Sequence, residues 1–188
     1  MEGPVETVSY KKYKINIYRD IDCESPDSWQ DTECFLVAYH RDFYVQHNEI
    51  ITKDQAISIF KGSTSEKEIL SKYHCFGLKA YIHSGVCLDL SNEGNFPDRR
   101  WDVSQVGLIL VSKNIEGTKK ITRKEARKYA TNLLETWNSY LSGEVYGFQT
   151  TDSRGNDIDS CWGFYGDCKY CLEDAKAGID VLIKDYEK

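Results

Sequence analysis

Apolar and polar positions alternate with a period of two along residues 13–19. Tyr13, Ile15 and Ile17 fall on one side, Lys14, Asn16 and Tyr18 on the other, which predicts a half-buried strand. The polar stretch 20–32, with Pro26, reads as a loop. Cys34, Phe35, Leu36, Val37 and Ala38 then form an unbroken apolar run, the pattern of a buried strand over residues 33–39. Residues 42–51 fit neither period. Residues 76–82 and 86–90 predict two strands around a His83-Ser84-Gly85 turn. Val106-Gly107-Leu108-Ile109-Leu110-Val111 is the strongest apolar run and predicts a central strand.

Other stretches carry the helical period. Thr52-Lys53-Asp54-Gln55 has the form of a capping box and opens a short helix over residues 53–61, stopped by Gly62. Ser65 opens a second short helix with Ile69 and Leu70 inward. Thr122-Arg123-Lys124-Glu125 is another capping box. After it Ala126, Tyr129, Ala130, Leu133, Trp137, Tyr140 and Leu141 recur at spacings of three and four, and Gly143 stands where a helix ends. Residues 145–151 and 158–164 alternate on either side of Asp152-Ser153-Arg154-Gly155-Asn156, a β-hairpin signal. A last helix follows, with Leu172, Ala175, Ile179, Leu182, Ile183 and Tyr186 on one stripe.

This element order predicts an α+β fold. The expectation is a frayed arm over residues 1–9 and a single domain over 10–188, built on a mostly antiparallel sheet covered by helices and ending in a β-hairpin and a helix. No strand–helix–strand unit carries a phosphate-loop signature, which argues against a doubly wound sheet.

Composition narrows the function classes. The chain has 188 residues and a formal net charge of −6. Generic nucleic-acid binding requires a basic surface that releases counterions, so none is expected. No apolar run approaches the roughly 20 residues that span a bilayer. The acidic start, Met1-Glu2-Gly3-Pro4-Val5-Glu6, does not resemble a secretory signal. The expectation is a cytoplasmic protein without a membrane partner. The seven cysteines are then read as free thiols.

Three stretches together resemble a known family. They are Tyr81-Ile82-His83-Ser84-Gly85-Val86-Cys87-Leu88; Trp101-Asp102-Val103-Ser104-Gln105-Val106-Gly107 with the following strand to Lys113; and Tyr140-Leu141-Ser142-Gly143-Glu144-Val145-Tyr146-Gly147 followed by Asp159-Ser160-Cys161-Trp162-Gly163-Phe164-Tyr165-Gly166. Their order and spacing, from about residue 33 to about residue 178, are similar to those of a family of small uncharacterised bacteriophage and prophage proteins. The resemblance implies a phage setting inside a bacterial host cell. It further implies an accessory role, such as countering host defence by binding a host protein or sequestering a small nucleotide signal. The family supplies no catalytic residues to carry over.

Candidate chemistry falls to a few groups of residues. Cys168-Lys169-Tyr170-Cys171 with Cys161 suggests a zinc or redox site, but a structural zinc needs four ligands, and His74, Cys75, His83 and Cys87 lie far off in sequence. Cys168 at a helix start would have a lowered thiol pKa through the helix dipole. The plainer reading packs Cys171 in the core. His83 and Ser84 are chain neighbours, which is not how a nucleophile and its base meet. Asp89, Asp102 and Asp159 could form a carboxylate cluster for magnesium, but Asp157-x-Asp159 is an isolated pair after a turn and reads as solvated hairpin carboxylates. Lys119, Lys120, Arg123, Lys124, Arg127 and Lys128 form a basic start to the long helix and read as a solvated face.

The aromatic–glycine motifs remain. The expected ligand-binding set is His83, Arg99, Arg100, Trp101, Asp102, Gln105, Asp159, Ser160, Trp162 and Tyr165. The aromatics offer stacking surface, the arginines offer charge for phosphate or carboxylate, and the polar groups orient the ligand. On this view Trp162 lies beside the Trp101-Asp102 entry to the central strand. No cofactor, metal or catalytic residue is assigned. Two other readings stay open: a small hydrolase or nucleotide-processing enzyme using His83, Ser84 or Cys161, and a purely protein-binding inhibitor with an exposed apolar or acidic patch.

Overall fold

The computed structural model describes residues 3–29, 33–90, 103–115 and 120–186. In chain order its strands are β1 (Glu6–Tyr10), β2 (Tyr13–Arg19), β3 (Cys34–His40), β4 (Phe43–Val45), β5 (Tyr73–Ile82), β6 (Val86–Leu90), β7 (Val103–Ser112), β8 (Val145–Thr151) and β9 (Asp157–Tyr165). Its helices are α1 (Lys53–Phe60), α2 (Lys67–Lys72), α3 (Arg123–Ser142) and α4 (Cys168–Tyr186). The chain is α+β, every strand pair is antiparallel, and the C-terminus is a β-hairpin followed by a helix. The strands divide between two sheets, and contacts group into two compact units: Met1–Ser25 with Gly143–Lys188, and Pro26–Ser142.

In the Pro26–Ser142 unit the strand order is β4-β3-β7-β5-β6, so the most apolar run is the middle strand, as its sequence predicts. Both faces of this sheet are covered. Leu36, Phe76, Leu78, Ile109 and Val111 pack with Ala126, Ala130, Leu134 and Trp137 of α3. Val37, Leu108 and Leu110 point the other way, against Ile51, Ala56 and Ile69 around α1 and α2. A strand buried on both sides needs apolar residues at consecutive positions, which is why β3 and β7 read as continuous runs. At Gly107 a Cβ would lie 1.8 Å from the Val37 carbonyl oxygen, so only glycine fits where these two strands cross-pair.

The helix starts follow their capping residues. Thr52 accepts from the Gln55 backbone N–H, and the Gln55 side chain accepts from that of Thr52 at 3.0 Å. Thr122 and Glu125 repeat the exchange, at 2.8 Å for the Thr122 N–H and 3.3 Å for the Glu125 N–H. Helix α3 ends before Gly143, whose φ of 70° is the left-handed conformation expected there. Two details differ from the sequence reading. Helix α2 begins at Lys67 and not at Ser65. On α3 the buried stripe takes Leu134 and leaves Tyr129 exposed.

In the other unit the order is β1-β2-β8-β9. Residues 6–9, expected within the arm, belong to strand β1, with Val8 paired to Ile15 and Glu6 to Ile17. Helix α4 covers one face: Ile15, Ile17 and Phe148 pack against Cys171, Ala175 and Ile179. Full burial of each such aliphatic or aromatic side chain contributes roughly 1.5–3 kcal/mol. The opposite face carries Asn16, Tyr18 and Gln149, and no helix of this unit lies over it.

Candidate functional site

The β8–β9 hairpin builds the site. Its turn is set by Asp152, whose carboxylate accepts from the backbone N–H groups of Arg154 and Asn156 at 2.8 and 2.9 Å and from the Asn156 side-chain amide at 2.9 Å. Pairing then runs from Thr151 back toward Val145, and the register shifts between Tyr146 and Phe148. Trp162 and Gly163 lie in this β-bulge on the β9 side, with Gly163 at φ 82°. The bulge turns the Trp162 indole over the open face. It lies across Gly147, where a Cβ would meet ring atoms at 2.2 and 2.4 Å, and its centroid is 6.1 Å from that of Tyr18.

Each residue of Trp162-Gly163-Phe164-Tyr165 has a distinct job. Trp162 walls a cavity of about 370 Å³, with Val5, Tyr18 and Ile21 as its other apolar lining. The Gly163 N–H donates to the Asp20 carboxylate at 3.1 Å. Phe164 turns to the covered face, against Phe148 and Tyr170. Tyr165 donates its hydroxyl to the Glu24 carbonyl. The loop after β2 is thus tied to β9 at Asp20 and at Glu24, and to β8 through the Asp20 N–H and the Val145 carbonyl at 2.8 Å.

That loop gives the cavity its charge. Asp20 and Asp22 line it together with Arg19, whose guanidinium donates to the Gly143 carbonyl at 3.3 Å. The neighbouring Cys23 thiol registers the local field: burial raises its pKa, and the Asp20 and Asp22 carboxylates push it further up. The cavity is therefore lined by aromatic and aliphatic side chains together with two aspartates and Arg19. It is also open, with Trp162 48% exposed and Ile21 75% exposed.

The expected ligand-binding residues fall in both units or outside the described residues. Arg99, Arg100, Trp101 and Asp102 lie outside the described residues, as does Lys119. Trp162 lies over Gly147 and Tyr18 within the β1-β2-β8-β9 sheet, and strand β7 belongs to the other sheet. Ser160 shares the open face with Trp162, because it pairs with Gln149. Asp159 pairs with Thr150 and faces the other way, near Gly178 of α4. Tyr165 braces the loop and is not among the cavity-lining residues.

His83 sits in the exposed β5–β6 turn of the Pro26–Ser142 unit, with its ring 6.4 Å from that of Tyr81. Gln105 lines a second cleft in that unit, of about 210 Å³, between β7 and Ile57, Phe60 and Lys61 of the α1 region. The residues named for an enzymatic reading also divide. His83 and Ser84 are turn residues of one unit, and Cys161 is an exposed β9 residue of the other.

The cysteine motif behaves as packing. Cys171 is fully buried, and its thiol is pushed up to about 12 by burial, with Cys161 and Cys168 adding to the effect. Cys168 opens α4, but its thiol pKa is raised, against the expectation from the helix dipole. Burial is the main cause, and Asp167 and Glu6 add negative charge beside it. Among the described residues no group of three or more His, Cys, Asp or Glu side chains is arranged to hold a metal ion.

Sequence reasoning found Trp162 but missed Val5, Tyr18, Asp20, Ile21 and Asp22. They meet Trp162 only through the β2–β8–β9 pairing, across more than a hundred residues of chain. One signal was available: Tyr18, a large aromatic, occupies the polar side of an otherwise well-sorted strand. Comparison of the chain with protein-family models, curated proteins and solved structures finds no match in any of the three. No helix among the described residues is long and apolar enough to cross a membrane.

Proposed function

We propose that this protein is a small accessory protein of the phage type that acts by binding and occupying a host protein, and that the open groove at Trp162 is the contact. The observation that supports this most is the half-exposed indole held in one place. Gly147 seats it, the Gly163 bulge aims it, and Tyr18 and Ile21 extend its apolar surface beside two carboxylates. A large aromatic fixed in an exposed position has little conformational entropy to lose on binding, which is how interface anchors work. A counter-defence role in the bacterial cytoplasm follows from the family resemblance and is part of the same proposal. The alternative of a small nucleotide ligand depends on Arg99 and Arg100, whereas the groove at Trp162 presents carboxylates to a ligand.

Native mass spectrometry of the protein purified from bacterial host cells tests the reading. The expected result is a host-protein adduct carried by the wild type and missing from Trp162→Ala, with identical circular dichroism for the two. Partner recovered from the complex should be chemically unchanged. Equal adducts on both proteins, or a product accumulating at substoichiometric protein, contradicts it.

A further inference from the structure

The groove also specifies the chemistry of what enters it, an inference that rests on the binding reading above. Two aromatic rings, Tyr18 and Trp162, stand 6.1 Å apart with 33° between their planes. Each ring carries a negative π face. Asp20 and Asp22 line the same cavity. Asp20 is oriented by the Gly163 N–H, which engages one carboxylate oxygen, Oδ2. Arg19 also lines the cavity with its guanidinium held by the Gly143 carbonyl, so among the described lining residues two carboxylates face one cation. Aromatic faces together with carboxylates favour a cation and disfavour phosphate or nucleotide.

We propose that the groove receives an arginine side chain presented by a partner protein. A guanidinium is planar and stacks on an indole, its fork of N–H donors matches carboxylates, and it is weakly hydrated. The compact, strongly hydrated lysine ammonium fits this set less well. A partner protein, and not a small free cation, follows from the apolar surface around the rings. Ile21 and Val5 are exposed by 75% and 49%, which is more apolar surface than a guanidinium covers, and flanking residues of a partner would cover the rest.

The test uses the full chain and a fluorescein-labelled peptide, acetyl-Gly-Gly-Arg-Gly-Gly amide, followed by fluorescence polarisation at low salt. Its controls replace the arginine with citrulline, which is nearly isosteric and neutral, and with lysine. The arginine peptide should bind about tenfold more tightly than the citrulline peptide, with lysine between them. Asp22→Asn should remove most of that difference. It lies outside the Gly163–Asp20 bond, so loop geometry is kept. Trp162→Ala should abolish binding, and Trp162→Phe should restore part of it. Equal affinity for arginine and citrulline, no binding of either, or wild-type affinity in Asp22→Asn overturns the proposal. A host protein lost by Trp162→Ala, together with equal arginine and citrulline binding, leaves the binding function standing and removes the cation.

Discussion

The two sheets of this protein treat a tryptophan in opposite ways. In the Pro26–Ser142 unit Trp137 of α3 is 3% exposed and meets the rings of Phe43 and Tyr140 edge to face, at 5.5 and 5.9 Å. In the other unit Trp162 is 48% exposed and lies over a glycine. A sheet sandwiched between helices uses its aromatics as mortar. A sheet covered on one face by α4 has a second face on which an aromatic is presented to solvent. The lesson is that an aromatic's role follows from whether its face is covered, which residue type alone does not reveal.

The glycines sharpen the same contrast and carry the largest expected effect. Gly107→Ala forces a Cβ to within 1.8 Å of the Val37 carbonyl, so the two middle strands must part. We expect a loss of about 3 kcal/mol or more, read as a drop in the urea midpoint or as insoluble protein. Gly147→Ala meets the Trp162 ring and the Cys161 carbonyl oxygen, the latter at 2.9 Å, in a more open setting. Its expected cost is about 1–2 kcal/mol, with the groove lost as the indole swings away. If Gly147→Ala proved as damaging as Gly107→Ala, the open face would be structural.

The tryptophans come next. Trp137→Ala should cost about 3–5 kcal/mol. Trp162→Ala should cost about 1–2 kcal/mol, since only about half of the side chain is buried. Chemical denaturation of the two variants measures the gap directly, and equal losses would erase the distinction.

A smaller effect, of opposite sign, is expected at Thr150. Its side chain is fully buried on the α4 face, and its hydroxyl has no hydrogen-bond partner among the described residues. Thr150→Val keeps the shape and removes the desolvated hydroxyl, so it should stabilise by about 1 kcal/mol. A loss of stability would mean that the hydroxyl is satisfied in solution.

The smallest effect is electrostatic. Hydrogen bonds from Asn156, chiefly its side-chain amide, hold the Asp152 carboxyl below the usual range. A folded-state pKa lower than the unfolded one stabilises in full above the unfolded value, near pH 4, and the gain disappears as pH falls through the folded value. The stability difference between wild type and Asp152→Asn should therefore shrink steadily on acidification below about pH 4. A constant difference would show that the carboxylate charge does not hold the turn.

Much of the fold is legible in the sequence because its signals are local. The Thr52 and Thr122 capping boxes, the helix end at Gly143 and the turn at Asp152 each depend on residues within five positions of one another. The doubly buried runs of β3 and β7 announce a covered strand without reference to partners. What escapes is non-local. Strand β1 is a weak five-residue alternation of Val8 and Tyr10 with Thr7 and Ser9, and it becomes a strand by pairing with β2. The groove escapes for the same reason. Trp162 stands out by composition, but Tyr18 and Asp20 are brought to it by strand pairing. Asp159 and Tyr165 were chosen for their motif. The pleat turns the first to the α4 face, and the second braces a loop.

The indole N–H signals of the four tryptophans test the central claim most directly, once assigned by single substitutions in a proton–nitrogen correlation spectrum. On titration with the arginine peptide, the Trp162 signal should move in a saturable way while the Trp137 signal stays fixed. A stationary Trp162 signal, or shifts shared equally by Trp137, would contradict the assignment of the open face as the binding surface.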